Sequence, residues 1–150
     1  MGTRIERDFS FQAAVHFEGN FLMNIYEISL AMEVETMSIR EQNIAMDRII
    51  YFLSECLSNS VFVQDTEKKA IEKYTQADIK VCIIPEEPYD QILSILLLLK
   101  LNAIVEGRLE ITDIVFRSEL SDEVRFIYNI DLSLIHISEP TRQAEISYAV

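Results

Sequence analysis

Residues 85–92, Pro-Glu-Glu-Pro-Tyr-Asp-Gln-Ile, hold the densest set of groups that could do chemistry in this chain. Glu86, Glu87 and Asp90 bring three carboxylates, Tyr89 a phenol and Gln91 a primary amide to what reads as the start of a helix. The plain reading is structural: Pro88 suits a first helical turn, and acids there favour the positive end of the helix dipole. The functional reading is a ligand site, in which Asp90 and Gln91 offer paired donors and acceptors to a planar heterocycle at a strand-to-helix junction.

The rest of the chain carries little catalytic equipment. Its glycines are Gly2, Gly19 and Gly107, so neither a G-x-G-x-x-G turn nor a phosphate-cradling loop can be built. Cys56 and Cys82 sit in apolar contexts without the spacing of a metal or redox pair, and buried free thiols are expected. A catalytic zinc site requires three protein ligands, and no His, Cys or carboxylate spacing supplies them. His16 falls on the polar side of a strand pattern, where a solvated or hydrogen-bonded imidazole is expected rather than a ligand or base. No serine stands in a nucleophile elbow.

The segment from Leu132 to Val150 is set apart. Leu132–Arg142 resembles a translation of the transposase adapter used in short-read library preparation, and Ile146–Val150 resembles the outer adapter. Gln143–Glu145 then occupy the place of a sample index. The tail is therefore expected to be foreign, with the natural protein cut off near Asp131, and it is excluded from the fold argument. Removing it takes away Arg142, Glu139, Glu145 and His136, which leaves His16 as the histidine to account for.

Composition then bounds the function classes. The 150 residues carry 25 acidic and 13 basic side chains, a formal net charge of −12. That surplus argues against a phosphate-tracking surface, and the densest basic cluster, Glu67–Lys73, is interleaved with glutamate. No nucleic acid partner is expected. The apolar run 92–105 is shorter than the roughly 20 residues of a membrane span and contains Lys100 and Asn102, so no membrane partner is expected either. The N-terminus has no signal-peptide pattern, and a cytoplasmic location is the expectation. No linker, repeat or low-complexity tract divides the chain, which reads as a single domain over 1–131.

Periodicity supplies the elements. Phe9, Phe11, Ala13, Val15 and Phe17 alternate with polar or small residues, and Tyr26 to Val34 do the same, so both read as half-buried strands joined by a loop at 18–24. Ser38 with Glu41 reads as a capping box opening a helix whose stripe is Met46, Ile49, Ile50, Leu53 and Leu57. Residues 60–64 read as a short strand or extended link, and Asp65 as the cap of a short helix through Tyr74. A strand is expected over Ile79–Ile84, then a long helix ended by Gly107, then strands near Leu109–Phe116 and Val124–Ile130. The acidic face of the second strand, Glu27, Glu33 and Glu35, reads as a wet sheet surface. The fold class expected is α+β: an antiparallel sheet of two β-hairpins packed on one face by two long helices.

That order, with four short fragments, resembles the 6-pyruvoyl/6-carboxytetrahydropterin synthases, the T-fold family. Phe11–Phe17 is similar to that family's Phe-x-Ala-Ala-His strand, and Asn24–Val34 to its strand beginning His-Asn-Tyr. Ile44–Leu53 is similar to its Met-x-Asp-Phe helix start, and Lys80–Ile92 to its strand leading into Pro-Thr-x-Glu-Asn. The resemblance implies a homo-oligomer, with sheets joined edge to edge, and a pterin- or purine-shaped pocket. It also implies what has been lost. The family's three zinc histidines fall at Val15 and at Leu22 and Asn24, with His16 one place late and on the other side of the pleat. Its Leu-Asp-His proton-transfer motif falls at Leu57-Ser58-Asn59. The glutamate of Pro-Thr-x-Glu-Asn falls at Gln91, and the late glutamate that anchors the ring falls near Arg117 or Ser118.

The expectation that follows is a non-catalytic relative without zinc or other cofactor. It would bind a purine- or pterin-like molecule at an oligomer interface through Asp90, Gln91, Arg117 and Ser118. Two alternatives stand beside it: a purely structural module whose oligomeric barrel is its product, and an enzyme with an unrecognised site.

Overall fold

The computed structural model describes residues 3–34, 38–122, 124–130 and 147–149. A long hairpin forms its centre. β1 (Arg4–Phe17) and β2 (Asn20–Val34) pair antiparallel from end to end, with Phe11 opposite Tyr26 and Val15 opposite Leu22. The connection is not the seven-residue loop expected at 18–24 but a two-residue turn. Glu18 and Gly19 both take positive φ, 52° and 79°, the mirror-image turn whose twist matches the flanking strands. Asn20 to Asn24 continue the strand instead. Their alternation is hidden because Phe21, Leu22, Met23 and Ile25 are all exposed at the hairpin's end.

The sheet is also larger than two hairpins. β5 (Leu109–Ser118) pairs antiparallel with β2, and β6 (Phe126–Asn129) pairs antiparallel with β5. On the other side of β1 lie two parallel strands, β3 (Ser60–Gln64) and β4 (Lys80–Ile84). β7 (Ser147–Ala149) lies antiparallel on the outer edge of β4, giving the order β6-β5-β2-β1-β3-β4-β7. Most of the tail read as foreign, including His136, Arg142, Glu139 and Glu145, lies outside the described residues. The three residues of β7 meet β4 through the ladder pairing that any extended segment can make.

Among the described residues three helices cover this sheet, and not on one face only. α1 (Ile39–Tyr51), continued by a π-helical segment (Phe52–Leu57), and α3 (Asp90–Val105) share one face. There they enclose the main core of Phe11, Tyr26, Ile28, Phe62, Leu97 and Phe116. α2 (Lys68–Gln76) covers the opposite face, where Tyr74 packs on Ala14, Val61, Val63 and Val81. The reason lies in β3 and β4: both faces of these strands are apolar, as buried parallel strands are, so a helix is needed on each side.

Two helix starts differ from expectation. Ser38 does cap α1, its Oγ accepting from Glu41 N at 3.3 Å, but the Glu41 carboxylate turns outward to Arg108 Nε at 2.8 Å. That guanidinium holds the Glu41 carboxyl below its usual range. Asp65 does not cap α2; Glu67 holds the cap position without a side-chain bond, and Asp65 N donates to Ile84 O instead. α3 ends at Glu106, in the left-handed region, with Gly107 following at φ 78°. Among the described residues no helix is long and apolar enough to cross a membrane.

Candidate functional site

In β2 the even-numbered residues from Tyr26 to Met32 face α1 and α3, and Leu22 and Asn24 lie on the same side of the sheet, as the odd-numbered residues from Phe11 to Val15 do in β1. Near the hairpin turn this face is not covered by helix. A cavity of about 230 Å³ opens there, floored by Val15, Leu22, Asn24 and Tyr26 from the hairpin. Pro88, Tyr89 and Asp90 at the start of α3 form one wall, Leu120 and Ser121 after β5 another, and Phe17 lies at the rim.

The hairpin register decides which side chains meet there. Val15 pairs with Leu22, and Ala13 with Asn24, so the positions that correspond to the zinc histidines converge in one cavity. The residues that occupy them do not fit a zinc ion. Val15 and Leu22 offer only carbon, and Asn24 is already engaged. Its Oδ1 accepts from Ile25 N at 2.9 Å and from Leu120 N at 3.1 Å, which ties β2 to the segment after β5. Among the described residues no three metal-ligating side chains come together.

Tyr26 is the least ordinary residue of the site. It is fully buried, stacked on Phe11 at 5.1 Å between centroids and edge-on to Phe62 at 5.6 Å. Its Oη is the one buried side-chain polar atom among the described residues without a hydrogen-bond partner. Burial pushes the phenol's pKa well up; the Asn24 side chain lies close enough to work against that, though its geometry falls outside a hydrogen bond, and the Asp90 carboxylate adds to it. A buried tyrosine hydroxyl normally finds a partner, so an unpartnered one at the floor of a cavity marks a place where a ligand group is missing.

The four residues singled out from sequence divide into two pairs. Asp90 and Ser118 come together: Asp90 is 6% exposed, and its Oδ2 accepts from Ser118 Oγ at 2.7 Å. Gln91 and Arg117 stand elsewhere. Gln91 is exposed on the first turn of α3, so the acidic neighbour and not the amide points to the cavity. Arg117 is one residue from Ser118 on β5 and so faces the other side of the sheet, where its Nε donates to Glu27 Oε2 at 2.5 Å. Tyr26 opposes Ser118 across the β2–β5 ladder, which is how a strand residue from each side reaches the same end of α3. The segment corresponding to the proton-transfer motif does not line the cavity. Leu57 is core, Ser58 Oγ donates to Leu53 O, and Asn59 N donates to Gln12 O.

His16, one place from Val15, emerges on the α2 face. It is 9% exposed, and its Nδ1 shares a hydrogen bond with Tyr74 Oη at 2.7 Å. Cys82 is fully buried and Cys56 partly so, both as free thiols.

Comparison with solved structures follows the same line. An uncharacterized protein of Wolinella succinogenes superposes with a TM-score of 0.55 at 9% identity, over 86% of this chain and 98% of that one. Two catalytic-residue mutants of Plasmodium vivax 6-pyruvoyltetrahydropterin synthase superpose with a TM-score of 0.52 at 10% identity, over 86% of this chain and 99% of theirs. The chain has a tetrahydropterin synthase-like fold. No family model and no curated protein matches it in sequence. At such low identity the likeness concerns the fold, and function has to be argued from the cavity.

Proposed function

We propose that this protein is a T-fold binding protein that holds a small purine- or pterin-like heterocycle in the cavity under the hairpin, without zinc and without catalysing the synthase reaction. The observation that carries this reading is the unpartnered Tyr26 hydroxyl at the floor of a cavity that sets a few polar groups, Asp90 among them, against the carbon of Val15, Leu22 and Leu120. Buried hydroxyls without partners cost about 1–3 kcal/mol, a cost that a bound ligand would remove. Val15 and Leu22, in place of metal ligands, line the cavity with carbon that suits a ring face. Asp90, steadied by Ser118, supplies the hydrogen-bond acceptor that orients it.

The test is a melting screen of the full chain against pterins, guanine and guanine nucleotides at millimolar excess. A ligand at about 100 times its Kd stabilises by roughly 2.7 kcal/mol, a shift of several degrees. The shift should shrink in Tyr26→Phe and persist in Gln91→Ala. Absence of any shift from any of these compounds would overturn the reading.

A second reading has its own support. Among the described residues, the side of β1 away from β2 has no strand partner from Arg4 to Phe11, and β6 stands at the end of the sheet. Joining these edges between copies would build an oligomeric barrel, with Phe21, Met23 and Ile25 available to pack at its rim. Light scattering decides this: a monomer at all concentrations would remove the assembly, and an oligomer that binds nothing would make the assembly itself the product.

A further inference from the structure

The charges around the cavity carry the argument one step further and name the class of ligand; this step rests on the reading of the cavity as a binding site. Asp90 is a buried carboxylate whose one hydrogen bond comes from a neutral hydroxyl, Ser118 Oγ at 2.7 Å, and it has no ion pair among the described residues. The N-terminus of α3, which Asp90 opens, offsets part of its charge. A buried carboxylate nevertheless needs a cation or several donors to repay its desolvation. None of the residues lining the cavity is basic.

The mouth repeats the pattern. Tyr89, half-exposed, stands there with its ring edge-on to Phe17 at 5.2 Å. Its phenol is pushed up first by a hydrogen bond to Glu87, then by burial and by the charges of Glu87 and Glu18. Two more carboxylates, Glu87 and Glu18, therefore act on the Tyr89 phenol. Field lines from one sign of charge concentrate in a low-dielectric cleft and repel ligands of the same sign. The unpartnered Tyr26 Oη, 0% exposed and within reach of the Asp90 charge, is the independent sign that an occupant is expected there.

We infer that the cavity selects a phosphate-free, cationic planar nitrogen compound, one that places an amidinium-type pair of N–H groups on Asp90 and a further polar atom on Tyr26. Phosphorylated and carboxylated ligands are rejected. At about 230 Å³ the space is below the roughly 300–1,000 Å³ of drug-sized sites, so one ring or two fused rings fill it.

Benzamidine, benzamide and benzoate test this directly, because they share one shape and differ in charge. Binding to the full chain is measured by calorimetry and by melting shift, together with guanosine against guanosine monophosphate. Benzamidine is expected to bind about tenfold or more tightly than benzamide, since hydrogen bonds between charged groups are the stronger kind. Benzoate and the monophosphate are expected not to bind. Asp90→Asn, which keeps an acceptor for Ser118, should erase the preference of benzamidine over benzamide. Glu87→Gln should weaken benzamidine only slightly and serves as a folded control if Asp90→Asn is unstable. Equal binding of benzamidine and benzamide, or binding of benzoate, would overturn the charge selection while leaving the cavity as a site. If none of the compounds binds even at ten millimolar, the site and its selectivity fall together.

Discussion

Tyr26 and Tyr74 are both buried, 0% and 6% exposed, on opposite faces of one sheet, and both phenols are pushed up by burial. Tyr74 points from α2 to β1 and shares a 2.7 Å hydrogen bond with His16 Nδ1, while Glu67 lies 3.9 Å from the far ring nitrogen. Tyr26 is packed among Phe11, Phe62 and Phe116 and has no hydrogen-bond partner for its hydroxyl among the described residues. One sheet thus solves the same polar problem on one face and leaves it open on the other. The solved case joins a helix to a strand and needs nothing else. The open case lies where a cavity meets the end of α3, and folding alone gives it no explanation. That difference teaches where to look for function: a satisfied buried polar group is an anchor, and an unsatisfied one is a request for a ligand.

The harshest way to break the comparison is to remove what holds Tyr26 in place. Phe62→Ala deletes the ring packed edge-on against both Tyr26 and Phe11 at a fully buried position. It should cost about 3–5 kcal/mol in denaturant unfolding and let the phenol move. A loss under about 1 kcal/mol would mean that the aromatic cluster is loosely packed, and the unpartnered hydroxyl would lose its significance.

Tyr74→Phe tests the satisfied side. It leaves the His16 ring nitrogen without its partner in a largely buried place, and a cost of about 1–3 kcal/mol is expected. Ligand binding at the cavity should not change, because the two hydroxyls lie on different faces. If stability is unaffected, the His16–Tyr74 bond is not an anchor.

Alkaline pH sharpens the contrast between buried groups. Burial pushes the Cys82 thiol from 9.0 up to about 12, so above pH 9 the unfolded chain loses that proton while the folded chain keeps it. Stability therefore falls as pH rises from about 9 toward 12, by up to about 1.4 kcal/mol per pH unit for each such group. The Tyr26 phenol, also raised, joins the decline above its ordinary 10.0. Urea midpoints measured between pH 8 and 11 should drop, and the drop above pH 10 should be shallower in Tyr26→Phe. A flat profile would mean that these groups are reached by water.

Much of the fold was legible in the sequence because its signals are local. The period of two in Phe9–Phe17, the Ser38 cap and the Gly107 stop each act within a few residues. The hairpin's far end was not legible: Phe21, Leu22, Met23 and Ile25 put apolar side chains on both faces, so the alternation that reveals a strand is missing, and only the Glu18–Gly19 turn reported it. The position of α2 was hidden for another reason. It depends on β3 and β4 being apolar on both faces, a property of two strands taken together and of no single one. At the site, all four candidates were named from sequence; the structure brings Asp90 and Ser118 together and sets Gln91 and Arg117, each one residue away, apart from them. In a helix start and in a strand, one residue turns a side chain from the cavity to solvent or to the other face. Tyr26 was read as strand core, and its open hydroxyl could not be seen before the strands were paired.

The smallest expected effect is also the most discriminating. Tyr26→Phe removes an oxygen atom and keeps the ring, so the stacking on Phe11 and the edge contact with Phe62 survive. Most substitutions at fully buried positions destabilise. Here the deleted hydroxyl had no partner to lose, and the free protein should gain up to about 1 kcal/mol, a rise of a few degrees in melting temperature. The same change should weaken any ligand that bonds to the hydroxyl. Stability and binding would then move in opposite directions at one atom, as expected of a group kept for binding at a cost to folding. If Tyr26→Phe instead destabilises the free protein as Tyr74→Phe does, its hydroxyl has a structural partner, and the two tyrosines are alike.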